Sequence, residues 1–391
     1  MAIPRKPPFH GPAILSYGFR PFFLLGALYA GLAVWFWIAL LSGGVDTASR
    51  FPAVDWHIHE MLFGYMAAVL AGFLMTAIPN WTGRLPVNGL PLAILVAVWM
   101  AGRMAMFLSG YLGAVPAALV DCAFLALLAA VCAREIIAGK NWRNLKVLLP
   151  VVTLLAANVW FHVEVITIGS SDASRRMALS AAIMLIAIIG GRIIPSFTRN
   201  WLVKHQPSPL PAPFDRLDIA TLTLSAGALV AWTFAPAYQP SGYLLFAAAV
   251  MNILRLARWQ GWRTFPDPLV LMLHLAFLWI PVGLTLAALR ALAPTVGEAA
   301  AVHAFGIGAV GSMTLAVMMR ATLGHTGRDL KAGWRGCLVF SAVSAAAVLR
   351  LILALGIQAE WLLHLSAACW VVAFLGFATL FGYPLLTPRR V

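Results

Sequence analysis

Charge is scarce in this chain. Lys, Arg, Asp and Glu make up 10% of its 391 residues, and 62% are hydrophobic. Soluble domains carry roughly a quarter charged residues. A water-soluble fold of this length could not hide so much apolar surface, so hydrocarbon is the solvent for most of it. Acid is scarcer than base: 13 Asp and Glu stand against 27 Lys and Arg, a net charge of +14. Cysteine is nearly absent too. Cys122, Cys132, Cys337 and Cys369 each fall in or beside an apolar stretch, with no CxxC or CxxCH. That pattern excludes a zinc ribbon and covalent c-type haem, and lone cysteines of this kind pack as small apolar residues. A cleavable signal is not evident. The first apolar stretch, 21–42, is too long for a signal core and no small-residue cleavage site follows it.

What the chain does have is long apolar runs. A spanning helix needs about 20 apolar residues. Twelve such spans are expected, at 21–42, 56–80, 88–109, 114–136, 145–168, 175–197, 216–236, 241–259, 267–292, 296–320, 334–355 and 360–384. The expected fold is therefore all-α, one integral membrane domain over 1–391. The longest polar break, 199–216, contains Pro207, Pro209, Pro211 and Pro213 and reads as a Pro-rich cytoplasmic linker between spans 6 and 7.

Loop charges orient the chain. One side holds Arg5, Lys6, Arg20, Arg84, Arg134, Lys140, Arg143, Lys146, Arg199, Lys204, Arg216, Arg255, Arg258, Arg263, Arg328, Lys331, Arg335, Arg389 and Arg390. The other holds only Arg50, Arg175, Arg176 and Arg290. By the positive-inside rule the first side is cytoplasmic and both termini face the cytoplasm. The same rule accounts for the basic balance, so lipid and not nucleic acid is the expected partner.

The sequence echoes itself. His59 to Arg84 aligns without gaps with His303 to Arg328: each begins with His, has Gly five residues on (Gly64, Gly308) and ends Thr-Gly-Arg. Span 6 ends in Ile194-Pro195-Ser196-Phe197-Thr198, similar to Ile78-Pro79-Asn80-Trp81-Thr82. Spans 2, 6 and 10 are four helices apart. That spacing suggests three four-helix units around a pseudo-three-fold axis, an arrangement whose sites tend to lie between repeats.

Ionisable residues inside spans are costly and are functional candidates by default. His57, His59 and Glu60 open span 2 on the outer side, and His162 and Glu164 close span 5 there. His303 lies about two turns into span 10 and His364 about one turn into span 12. Arg103 and Arg350 share that outer third, and Asn158 shares a face with His162. Histidines from several helices at one depth suit haem iron or copper. His59 and His303 are the leading ligands, with His57 as a further metal candidate. Haem propionates need cations, which Arg103, Arg350, Arg175 or Arg176 could supply. Gly306, one turn after His303, leaves room for a flat macrocycle.

Two details bear on ligation. His57 and His59 point about 200° apart on a regular helix and cannot share a metal unless the helix starts after them; Asp55 is a plausible N-cap. Glu60, three residues after His57, could orient it. Each outer histidine could also be an interfacial side chain with its tip in water. On the cytoplasmic side Arg192, Arg320 and Gly324-His325-Thr326-Gly327-Arg328 could form an anion nest or a glycine helix cap followed by positive-inside charges. His274 reads as a buried polar contact or a proton-path residue, and His10 and His205 as loop residues.

Several of these segments resemble the NnrS family. They are Gly18-Phe19-Arg20-Pro21-Phe22-Phe23, Trp56-His57-Ile58-His59-Glu60-Met61-Leu62-Phe63-Gly64, Ile78 to Gly83, Gly190 to Thr198 and Leu323 to Arg328. The resemblance implies a twelve-span bacterial inner-membrane protein containing haem, of b type, and copper. It also implies a role in denitrification and nitric oxide tolerance. His57, His59, Glu60, Arg192, His303, Arg320 and His325 occupy its motif positions; His162 and His364 do not. At the level of fold alone, haem-copper oxidases also place histidines on spans 2, 6 and 10. Here span 6 carries Arg175 where the echo would place one, which puts an oxidase-type binuclear centre in doubt. The expected function is binding or reduction of nitric oxide, with an electron donor if the protein is an oxidoreductase. The competing expectation is a proton-coupled transporter of a small anion or metal without a redox cofactor.

Overall fold

The computed structural model describes residues 9–205, 209–293, 296–357 and 359–390. Arg5, Lys6 and Pro207, which entered the charge and linker expectations, lie outside them. Twelve helices are long and apolar enough to cross a membrane, and no strand occurs among the described residues. They are α1 Phe19–Leu41, α2 Ala53–Thr82, α3 Gly89–Phe107, α4 Ala114–Ala138, α5 Trp142–Ile168, α6 Asp172–His205, α7 Arg216–Phe234, α8 Gln239–Ala257, α9 Pro268–Leu292, α10 Glu298–His325, α11 Gly333–Ala354 and α12 Glu360–Leu386. The chain is a multi-pass membrane protein. Its alternating spans return both ends to one face, called here the terminal face.

Sequential helices pack side by side, and α12 closes on α1. The closure uses small residues and backbone acceptors. Trp370 donates Nε1–H to the Ala30 carbonyl at 3.0 Å, and Arg20 donates to the Leu385 carbonyl at 2.9 Å. Burial separates inner helices from lipid-facing ones. In the most apolar stretch of α2, 83% is buried inside the protein, against 28% in α11. Both are equally apolar in kind, so only position in the bundle distinguishes them.

The polar break after α6 is shorter than expected. Residues 199–205 continue α6 as helix, because the prolines that cannot continue one begin only at Pro207. Asp215 caps α7 by accepting the Leu217 N–H at 2.9 Å, and its own N–H donates to Asp218.

The sequence echo between α2 and α10 has a backbone counterpart. In each, a π-helical segment starts at the residue after the histidine: Glu60–Met66 after His59, and Ala304–Gly311 after His303. Such segments widen the helix locally and recur at functional sites. Gly64 and Gly308 sit within them at close approaches. A Cβ on Gly64 would lie 2.7 Å from Arg103 Nη1, and one on Gly308 would lie 2.4 Å from the Trp279 ring. Gly83 and Gly327 end the two motifs, both with φ +71°, in the left-handed cap conformation. In α6, which carries no histidine in its apolar stretch, the backbone is α-helical throughout.

Candidate functional site

The start of α2 decides where two histidines go. The helix begins at Ala53 after Pro52, before Asp55 and not after it. Asp55 is therefore not the N-cap; it sits in the first turn and accepts the Ser171 hydroxyl. Both His57 and His59 are helical, so they must diverge. They do so into two separate environments.

His59 is fully buried in a polar cluster built from α1 to α5. Its Nδ1 lies 3.0 Å from Glu60 Oε1, and its Nε2 lies 3.1 Å from both Asp121 Oδ2 and Asn158 Oδ1. His162 Nε2 reaches the same Asp121 oxygen at 3.1 Å, and Asn158 Nδ2 donates to it at 2.7 Å. Arg103 donates to Glu60 at 2.5 Å and also to Asp121. Tyr29 donates its hydroxyl to Glu60. Burying these charges is tolerable only because each meets an opposite charge or a hydrogen bond. Arg103 offsets one of the two carboxylates. The other needs a proton on the cluster or a bound cation. One ligand atom from each of His59, Asp121 and His162 lies within 4.8 Å of the other two, and His162 Nδ1 is buried without a partner among the described residues. Two imidazoles and a carboxylate are a donor set suited to a borderline divalent ion such as copper(II) or zinc.

His57 faces the other way. It stacks on Trp37, with ring centroids 4.1 Å apart and planes 20° apart. With His303 and Arg350 it lines a cavity of about 440 Å³ near the face opposite the termini. Ligand sites of small molecules and cofactors occupy roughly 300–1,000 Å³. His303 donates from Nδ1 to the Ala299 carbonyl at 2.7 Å. That bond leaves Nε2 as the lone-pair nitrogen, the arrangement of a metal-ligating histidine with its ring held by the backbone. Gly306 lines the same cavity, and a Cβ there would meet nothing within 4 Å. Arg175 also lines it but is paired with Asp172 at 2.7 Å and Glu298 at 3.2 Å, and Arg176 with Glu298 at 2.8 Å. Arg350 has no acidic partner within 4.0 Å among the described residues. The cavity wall thus offers imidazole, a flat open patch and an unpaired cation, which is what a haem with propionates requires.

A protein-family model described as NnrS protein matches residues 13–389. The chain belongs to the NnrS family. No curated protein matches it. Membership suggests a membrane protein of the nitric oxide response. In this NnrS chain the structure distributes the expected site residues over three places. His57, His303 and Arg350 share the large cavity. His59, His162, Glu60 and Arg103 share the polar cluster, and Arg192, Arg320 and His325 line a cavity at the terminal face.

Four expectations change with this placement. His59 does not stand with His303, because carboxylate and amide partners on α2, α4 and α5 engage both its ring nitrogens. Glu60 orients His59 and not His57, drawn to Arg103 and Tyr29. Arg103 is consumed by Glu60 and Asp121 and is not free for a propionate. His364 is half exposed, 3.9 Å from Glu360 on its own helix, and does not line the cavity.

Gly327, just past α10, forms the glycine helix cap that the sequence allowed, while Gly324 lies within the helix. The Arg328 N–H donates to the Leu323 carbonyl at 3.0 Å around Gly327. Glu164 caps the start of α6 by accepting the N–H groups of Ala173 and Ser174 at 2.9 and 2.8 Å. His274 accepts or donates to the Thr198 hydroxyl at 2.8 Å. Asp121 and Tyr29 escaped the sequence reading. Asp121 had a usable signal as an acid inside an apolar run; Tyr29 had none.

The NnrS cavities line up. A smaller apolar cavity of about 90 Å³ lies between α2, α5, α6 and α10. It shares Val310 with the large cavity and Phe73, Ile189, Ile193 and Val317 with the terminal-face cavity.

Proposed function

We propose that this chain is a haem protein of the bacterial inner membrane that binds nitric oxide in the His57–His303 cavity. Its terminal face is cytoplasmic, as the basic loops require. The observation that carries the reading is the joint lining of one cavity by two histidines, Gly306 and an acid-free Arg350. His303 would hold the iron, His57 would line the pocket beside it, Gly306 would leave the macrocycle its space, and Arg350 would meet a propionate. Bound iron would supply the redox chemistry for nitric oxide.

The ligand itself is neutral and small, so it partitions into lipid. The apolar cavity lined by Val69, Leu154, Ile186 and Val310 adjoins the site and gives such a molecule a water-free path. In the same reading copper would be held by His59, Asp121 and His162. Tyr29, Glu60 and His59 form a hydrogen-bonded chain beside it, through which protons can be held for a reductive reaction with an external electron donor.

The deciding experiment is the optical spectrum of detergent-purified protein, oxidised, reduced and with nitric oxide, alongside elemental analysis. A Soret band that shifts with nitric oxide is expected. A flat visible spectrum, without iron, from protein expressed with ample haem sinks this reading in favour of cofactor-free transport.

A further inference from the structure

The terminal face holds a cavity of about 400 Å³ that the nitric oxide reading leaves unused. Its ionisable lining is basic: Arg192 from α6, Arg320 and His325 from α10. No acidic residue lines it among the described residues. Asn80 adds an amide, and Phe73, Trp81 and Phe197 contribute aromatic wall.

The two guanidinium groups are under-used. Arg192 donates to Asn144 Oδ1 at a long 3.3 Å. Arg320 lies over the Phe197 ring, 4.0 Å from its centroid, and its Nη1 is buried with no hydrogen-bond partner among the described residues. Asp267 is within electrostatic reach of Arg320. Its carboxylate makes no ion pair with Arg320 within 4.0 Å, and it accepts the Leu269 N–H at 3.0 Å as the cap of α9. Two other arginines in the bundle meet carboxylates closely: Arg103 with Glu60 and Asp121, Arg255 with Asp218 at 2.7 Å. An arginine that only reaches for interfacial water turns its head outward. Arg320 instead lies over the Phe197 ring and, unlike Arg103 and Arg255, has no carboxylate within 4.0 Å among the described residues.

We infer that this cavity binds an organic phosphate, with the phosphate between Arg192 and Arg320 and the apolar body against the aromatic wall. Guanidinium forks match phosphate oxygens and hold them by charge-assisted bonds. Two positive charges without an acid in the lining suit one phosphate group. The ligand is either the headgroup of a membrane phospholipid or a soluble phosphate ester. The site stands apart from the haem proposal, because none of its charged residues lines the other cavity.

Full-length protein answers this directly. Wild type, R192Q/R320Q and R192K/R320K are delipidated in detergent, and retained phospholipid is measured by mass spectrometry. Reconstitution in phosphatidylglycerol or phosphatidylcholine follows. In parallel, thermal unfolding is recorded with and without inorganic phosphate. A lipid ligand is retained by wild type and the lysine variant and falls about tenfold or more in the glutamine variant. A soluble ligand leaves no retained lipid, but inorganic phosphate then raises the unfolding temperature of wild type and not of the glutamine variant. Gly324→Leu, at a position lining the cavity where a Cβ meets only Leu330 at 3.7 Å, gives the same loss without removing a charge. Equal lipid retention in wild type and the variants, together with no phosphate effect, overturns the assignment.

Discussion

His57 and His59 are two residues apart on α2 and serve different chemistry. His57 stacks on Trp37 and lines the large cavity with His303, whereas His59 is enclosed by Glu60, Asp121 and Asn158. The separation follows from helix geometry, about 200° for two residues. It predicts different phenotypes. His303→Ala and His57→Ala lose part or all of the haem, read as Soret absorbance per protein. His59→Ala keeps the haem. A haem-free His59→Ala variant beside a fully loaded His303→Ala variant would reverse the assignment.

Gly306 tests the same cavity without touching a ligand. Its Cβ would meet open space, so Gly306→Phe folds and fills the space a macrocycle needs. Haem content is expected to fall while the thermal unfolding of haem-free protein stays near that of wild type. Unchanged haem in this variant argues against the cavity.

Arg103 holds Glu60 and Asp121 together inside the bundle. Arg103→Met leaves two buried carboxylates short of a partner. Breaking a buried pair in this way costs about 3–5 kcal/mol. A large fall in the unfolding temperature, or loss of the folded peak in size-exclusion chromatography, is expected. By contrast, His364→Ala removes an exposed side chain 3.9 Å from an exposed glutamate. A pair of that kind contributes roughly 0–1 kcal/mol, so both stability and haem content should hold.

The metal set makes its own prediction. His162→Ala removes a donor from the His59–Asp121–His162 group but none from the haem cavity. Copper per protein, by elemental analysis, falls while the Soret band remains. Loss of both together would tie the two sites into one.

Acid reports on the cap of α7, which lies outside the membrane spans. The Arg258 guanidinium beside Asp215 holds its carboxyl down to about 2, below the usual value of roughly 3.9. A depressed carboxylate stabilises the fold above its usual value, and that contribution fades as pH falls toward the lowered one. Protection of the Leu217 amide, which donates to Asp215, should therefore persist from neutral pH to below 4 and disappear near 2, after correction for intrinsic exchange. Arg258→Gln moves the loss to higher pH, and high salt does the same more weakly.

The sequence by itself determined the twelve spans, because the length of an apolar run is a local property that the bilayer thickness reads directly. It also determined that α2 and α10 are twins. Equal spacing of His, Gly and Thr-Gly-Arg goes with π-helical segments that start at the same place after the histidine and with matching left-handed glycines. It marked most of the residues that matter, since an ionisable group in hydrocarbon is conspicuous. Tertiary structure alone decided how they group. Asp121 from α4 and Asn158 and His162 from α5 claimed His59, and Arg103 from α3 was taken by Glu60 and Asp121. Arg350 from α11 was left without an acid beside His57 and His303. Pairing of this kind depends on which helix faces lie against each other across tens or hundreds of residues. A cavity is space between such faces, and no single stretch of sequence encodes it.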